Sequence, residues 1–311
     1  MREQRLSLKG RIGMRYIYFK TAEGEKLPGV LLPDGRAAAA KTLVPRFSGR
    51  TFTDLIRAGA EVHEALRRAS EQPVMETYAP EEIRLLAPIE YPEHDILCVG
   101  VNYADHLKET QEHLDGSSGL CAAKAVYFSK RANRIIGPDE TIEARLDLDP
   151  CLDYEVELAV IIGKEGKDIA PEDAEQHIFG YSVFNDLSSR KLQAEHSQWF
   201  KGKSLDGYSA MGPVVVSRDV LHLPFSAAVT SQVNGELRQH SNTELLIHKV
   251  GDIVAELSAG MTLYPGDIIA TGTPAGVGMG FTPPRFMKDG DTVECEIEGI
   301  GCLRNRVAAG K

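Results

Sequence analysis

The sequence predicts a mostly β protein with a smaller helical part (α+β). Its expected form is a curled, mixed β-roll or barrel behind a small N-terminal α+β unit. Three observations lead there. Strand-like runs recur from ILCVGV at 96–101 to DTVECEIEGIG at 291–301, with AVYFSK, YEVELAVII, GYSVFND, GPVVVS, AAVTSQVNGELRQ and DIIATGT between them. Helical periodicity is sparse over the same stretch. The regular alternation of strand and helix that a doubly wound sheet needs is missing.

Taken in order, residues 1–13 are basic and aperiodic and read as an extension, with Met14 a candidate true start. Residues 14–85 read as the small N-terminal unit. It has two short strands around a polar turn in MRYIYFKTAEGEKLPGVLLPDG, then a helix in which Leu55, Ile56, Val62, His63 and Leu66 share a face behind the candidate cap Thr53. The proline-rich stretch YAPEEIRLLAPIEYPEHD marks the crossing into the main unit, residues 86–311. There a short helix is expected from Pro171, ending by Gly180. A longer one follows Asn242, with Leu246, Val250, Ile253 and Leu257 on one stripe.

Composition excludes several function classes. The 311 residues carry a formal net charge of -10, which argues against a phosphate-backbone binder. No run of about 18 apolar residues offers a membrane span, and the N-terminus lacks the apolar stretch of a secretory signal, so a cytoplasmic location is expected. Five cysteines without a CxxC pair read as reduced thiols. GVGMG at 276–280 does not complete a dinucleotide fingerprint, and GKS at 202–204 lacks the first glycine of a phosphate loop.

The chemistry-bearing stretch is DYEVELAVIIG, residues 153–163. Side chains alternate along a strand, so Asp153, Glu155 and Glu157 share one face, which turns apolar as it continues through Ala159 and Ile161. Carboxylates two positions apart lie roughly 6 to 7 Å apart, close enough to hold one cation between them. The pattern alone fits a solvent-facing strand edge equally well. Some 30 residues on, GYSVFND ends in Asp186, whose neighbours also fit a plain turn or cap. A Glu/Glu/Asp oxygen set suits Mg²⁺, Mn²⁺ or Ca²⁺ better than zinc. A base is offered by GVNYADHLKETQEH, where His106 and Glu109 stand three residues apart and would share a helical face. A carboxylate on an imidazole fixes its tautomer and raises its basicity.

Six ordered motifs over residues ~96 to 303 resemble the fumarylacetoacetate hydrolase family: NYADHLKE, DYEVELAVIIG, FNDLSSRKLQ, FKGKS, VNGELRQ and YPGDIIATGTPAGVG. The resemblance implies a β-roll catalytic domain with a small N-terminal domain, usually assembled as a homodimer. It implies that Glu155, Glu157 and Asp186 hold Mg²⁺ or Mn²⁺, with Ca²⁺ an alternative, and that Asp153 is not a ligand. His106 and Glu109 match the catalytic dyad, and 107–123 would be a mobile lid bringing Glu109 in when substrate binds. Gln193 and Lys203 match groups that meet substrate and developing negative charge. Arg190 and Thr273 match binders of a carboxylate or oxyanion, and Lys130, in YFSK, is placed beside them without a defined role. The expected substrate is a small anionic 2-oxo acid.

The expected reaction is hydrolysis of a C–C bond in a β-diketo or acylpyruvate-type acid through a metal-stabilised enolate, with water activated by the dyad. Oxaloacetate-type decarboxylation and hydroxymuconate-type isomerisation are alternatives on the same groups. A non-catalytic, metal-stabilised binding protein is a remote one, since it would have no use for the dyad.

Overall fold

A computed structural model describes residues 13–113 and 123–310. Most of the expected N-terminal extension, Cys121 and the later part of the expected lid lie outside the described residues.

Among the described residues, seventeen strands carry the fold. The N-terminal ones are β1 (Arg15–Thr21), β2 (Lys26–Leu31), β3 (Ala37–Ala39) and β4 (Ile83–Leu85). β5 (Ile96–Gly100), β6 (Val126–Lys130), β7 (Thr141–Ala144), β8 (Leu152–Asp153) and β9 (Val156–Ile162) follow. Then come β10 (Ile178–Asp186), β11 (Ser188–Ser189), β12 (Ser209–Ser217), β13 (Ala228–Val233) and β14 (Glu236–Asn242). The last three are β15 (Ile268–Ala270), β16 (Thr292–Ile297) and β17 (Gly301–Ala309).

The main sheet runs β3-β2-β1-β12-β10-β9-β15-β5-β6, with β4 also on β1. A second sheet runs β14-β13-β16-β17-β7. This is the mixed, mostly β architecture expected, curled around a shared interior. Tyr16 pairs with Val215 across β1 and β12, so the main sheet passes through both units expected on either side of residues 85 and 86.

β9 is covered on both faces, which explains the aliphatic run Leu158–Ile162 that follows Glu157. Val156, Leu158, Val160 and Ile162 pack toward the second sheet, among residues such as Val229, Ile297 and Leu303. Ala159 and Ile161 face the N-terminal helices, with Phe52, Leu55 and Leu66. Phe19 on β1 is fully buried against Tyr78, ring centroids 5.4 Å apart. Truncating such a ring in a packed core costs about 3–5 kcal/mol, so Phe19→Ala should lower the midpoint of chemical unfolding accordingly, with little change in slope.

Local structure departs from the expected elements at two helices. The stretch after residue 50 forms two helices, Phe52–Ile56 and Ala60–Ser70, because Gly59 takes φ 79° between them. The cap is Thr51, which closes a capping box with Asp54, and not Thr53. After Asn242 a 3₁₀ turn, Thr243–Leu245, comes first, and the helix runs Val250–Ser258. Among the described residues, no helix is long and apolar enough to cross a membrane.

Candidate active site

The site lies where the polar end of β9 meets the ends of β5 and β10. The acidic strand is not a solvent edge: Asp153, Glu155 and Glu157 are 0, 5 and 2 % exposed. Nor do the three carboxylates form one row, because the strand breaks at Tyr154 and Glu155 between β8 and β9. Glu155 and Glu157 stay with Asp186, and a carboxylate oxygen from each lies within 4.8 Å of the others. Asp153 turns to a different set of partners.

That trio has the character of a cation site. All three are buried, hard oxygen donors. Burial, then the nearby Asp186 and Glu155, push the Glu157 carboxyl well above the usual range, the response of a carboxylate that lacks compensating positive charge. One fixed dipole does reach it: the Gly272 N–H donates to Glu157 Oε2 at 2.8 Å. Gly272 has φ +95°, and a Cβ there would stand 2.8 Å from that of Asn102, so the close approach needs glycine. The residues therefore fit a divalent cation by donor chemistry and by electrostatic demand.

Three cations from this chain surround the trio. Lys203 Nζ bridges Glu155 Oε2 at 2.6 Å and Asp186 Oδ2 at 2.7 Å. Burial lowers the Lys203 pKa, but Asp186 and Glu155 raise it by more, so it is held above the ordinary lysine value as a fixed positive charge. Arg190 reaches Asp153 through Nε at 2.8 Å, Gln193 Oε1 through NH1 at 3.0 Å and Glu155 Oε1 at an ion-pair distance of 2.7 Å. Lys130 donates to Asp186 Oδ1 and to the Leu187 carbonyl. It is fully buried and holds Asp186 from the side of β6.

Opposite the trio is the dyad. The chain leaves β5 through Val101, whose φ of 48° is unusual for a β-branched residue, and enters the helix Ala104–His113. His106 Nδ1 meets Glu109 Oε2 at 2.8 Å, one helical turn on. Glu109 Oε1 accepts the Gly276 N–H at 2.9 Å. Glu109 is thus seated on both His106 and the loop that follows Thr273. A Cβ on Gly280 would lie 1.8 Å from Glu109 Oε1. Gly280→Ala should therefore displace Glu109 with the fold intact, and misplacement by about 1 Å should lower kcat by about 10²-fold in a steady-state assay.

The narrow pocket between dyad and trio is lined by His106, Glu155, Glu157, Arg190, Gln193, Lys203 and Thr273 on its polar side. Val99, Val101, Phe128, Trp199 and Met279 form its apolar side. Every expected site residue except Glu109, Asp186 and Lys130 lines it. Glu109 touches His106 and Asp186 touches Lys203, both on the lining, whereas Lys130 bears on Asp186. The Thr273 hydroxyl donates to the Val156 carbonyl and accepts from Gln239 Nε2, so it is committed to the frame. Trp199 is a wall residue that its sequence context did not reveal. Its ring lies over Gly100, where a Cβ would stand 2.4 Å away.

A mixed β-roll with a buried carboxylate trio facing a His–Glu dyad defines a class of enzyme-like site, and sequence comparison puts a family to it. The fumarylacetoacetate (FAA) hydrolase C-terminal model matches residues 95–308, and the chain belongs to that family. Among its relatives is oxaloacetate tautomerase YisK of Bacillus subtilis (strain 168), 43% identical over 230 residues, 74% of this chain and 75% of that protein. Among solved structures, fumarylacetoacetate hydrolase from psychrophilic Exiguobacterium antarcticum superposes with a TM-score of 0.80 at 40% identity, covering 95% of this chain and 99% of the other. A 2-hydroxyhepta-2,4-diene-1,7-dioate isomerase from Mycobacterium marinum gives 0.71 at 32% identity, covering 95% and 98%.

Proposed function

We propose that the protein is a divalent-cation-dependent enzyme that interconverts the enol and keto forms of oxaloacetate or a closely similar 2-oxo dicarboxylate. The observation that carries this reading is the placement of the His106–Glu109 dyad across one narrow pocket from Glu155, Glu157 and Asp186. The tautomerase name of a 43% identical relative supports it.

A Mg²⁺ or Mn²⁺ ion held by Glu155, Glu157 and Asp186, with Ca²⁺ an alternative, would supply positive charge for the oxygens of a 2-oxo acid as negative charge develops on them. Everything else is done by the chain. With Nδ1 donating to Glu109, Nε2 is the basic nitrogen of His106 and the atom that takes the enol hydroxyl proton. The same imidazolium returns a proton to C3, so the base is regenerated and no water is consumed. Lys203, held cationic, adds fixed positive charge beside the developing oxyanion. Gln193, whose oxygen is occupied by Arg190, has its amide N–H groups to offer the substrate. By the family resemblance the assembly is a homodimer.

C–C bond hydrolysis is the second reading, favoured by the 40% identical structure named a fumarylacetoacetate hydrolase. It would use the dyad to deprotonate water. The two separate in one comparison: decay of the enol ultraviolet absorbance of oxaloacetate, and pyruvate release from acylpyruvates and from oxaloacetate, each with Mg²⁺ or Mn²⁺ and with EDTA. Fast, EDTA-sensitive enol decay with little pyruvate is expected. Dominant pyruvate release would favour hydrolysis or decarboxylation instead, and cation binding with no activity in either assay would leave a binding protein.

A further inference from the structure

We propose that Asp153 is a positioning residue that ties the base dyad to the carboxylate trio, acting through the backbone of residues 276–280. The proposal rests on the reading of His106 and Glu109 as the base.

Asp153 is fully buried and accepts four hydrogen bonds. Oδ1 takes the N–H groups of Tyr154 at 2.9 Å and Gly278 at 2.6 Å. Oδ2 takes Arg190 Nε at 2.8 Å and the Met279 N–H at 3.0 Å. A carboxylate has about four acceptor positions, so these bonds fill it. Its work is therefore to join three parts of the chain.

One part is the loop. Gly276, two residues before the first Asp153 contact, donates its N–H to Glu109 Oε1, and Gly280, one residue beyond the last, packs against the same carboxylate. The neighbouring Tyr154 hydroxyl donates to the Gly276 carbonyl at 2.9 Å. Asp153 and Tyr154 thus clamp the loop at adjacent points, and the loop holds Glu109 on His106. The second part is Arg190, which bears on Glu155 and Gln193. The third is the entry to β9, which carries Glu155 and Glu157. One buried carboxylate fixes where the base stands relative to the trio.

Asparagine at this position has one acceptor oxygen, and its NH₂ would face two N–H donors, so Asp153→Asn breaks the clamp on one side. Assayed as full-length protein with Mn²⁺ and enol-oxaloacetate, the variant should lose about 10- to 100-fold in kcat, with KM changed by less than about threefold. If Asp153 acts through Glu109, its effect should vanish in a Glu109→Gln background: the double variant should turn over within about twofold of Glu109→Gln alone. Tyr154→Phe, a milder cut of the same clamp, should show a smaller kcat loss that also vanishes there, and it carries the test if Asp153→Asn does not fold. Losses that multiply with Glu109→Gln, or wild-type turnover in Asp153→Asn or Tyr154→Phe, overturn the linkage alone. Wild-type turnover in Glu109→Gln overturns the dyad and the linkage with it.

Discussion

His106→Ala is expected to lower kcat for oxaloacetate tautomerisation by about 10²- to 10⁴-fold, the range for loss of a positioned general base. The loss should fall on kcat, because the proposed substrate contacts belong to Lys203, Gln193 and the cation. Cation affinity should change little, since His106 is not among the carboxylate trio. Glu109→Gln should lose less: its single oxygen can still accept from Nδ1–H, but its NH₂ then faces the Gly276 N–H and releases the loop, and it offers no charge to stabilise the imidazolium. Single-turnover enol decay by stopped flow, with Mn²⁺ binding measured beside it, checks both.

Glu157→Gln is expected to remove most of the affinity for Mg²⁺ and Mn²⁺ and at the same time to stabilise the cation-free protein. Both effects have one cause. Burial, Asp186 and Glu155 raise the Glu157 pKa by more than Lys203 and the Gly272 N–H lower it, so in the cation-free fold the ionised carboxylate is a net cost. The sign follows: the folded protein holds this proton more tightly than the unfolded chain, so the contribution of Glu157 to cation-free stability is greatest in acid. It declines as the pH rises from the usual glutamate range through the raised pKa. A cation restores it, and does so by about 2.7 kcal/mol at a concentration 100 times its Kd. In the wild type, apparent cation affinity should weaken toward acid as the proton competes at Glu157. In the variant both the pH slope and the cation response should shrink, as read by thermal melting with and without Mn²⁺ across pH.

The parts of this site legible in the sequence are those with a local signature. The period of two in DYEVELAVIIG and the three-residue spacing of His106 and Glu109 each have a direct geometric meaning, and the structure puts them face to face. Six ordered motifs identified the family on residues that the family model also spans. What stayed hidden depended on non-local chain geometry. The break after Asp153 leaves no mark in a perfect alternation, so three carboxylates read as one row when one belongs elsewhere. Lys130 had no defined role in the sequence, and its contact with Asp186 comes from strand placement that YFSK does not show. The short helices Arg190–Glu195 and Phe200–Lys203 hold three site residues but are too brief to show a period. GVGMG could be rejected as a nucleotide loop, but its grip on Glu109 and Asp153 is made by backbone N–H groups, which no side chain announces. Two histidines outside the site have ordinary carboxylate partners: His94 meets Asp267 and His222 meets Glu175, each at 2.7 Å.

The central claim is that this pocket moves a proton at C3 of a 2-oxo dicarboxylate under control of His106, and proton NMR of oxaloacetate in deuterium oxide with the Mg²⁺-loaded protein tests it directly. The C3 proton signals should disappear faster than in the enzyme-free sample and ahead of any pyruvate methyl signal, and His106→Ala should return the exchange to near the enzyme-free rate. A pyruvate methyl signal growing as fast as the C3 protons are lost, or exchange unaffected by His106→Ala, would contradict the claim.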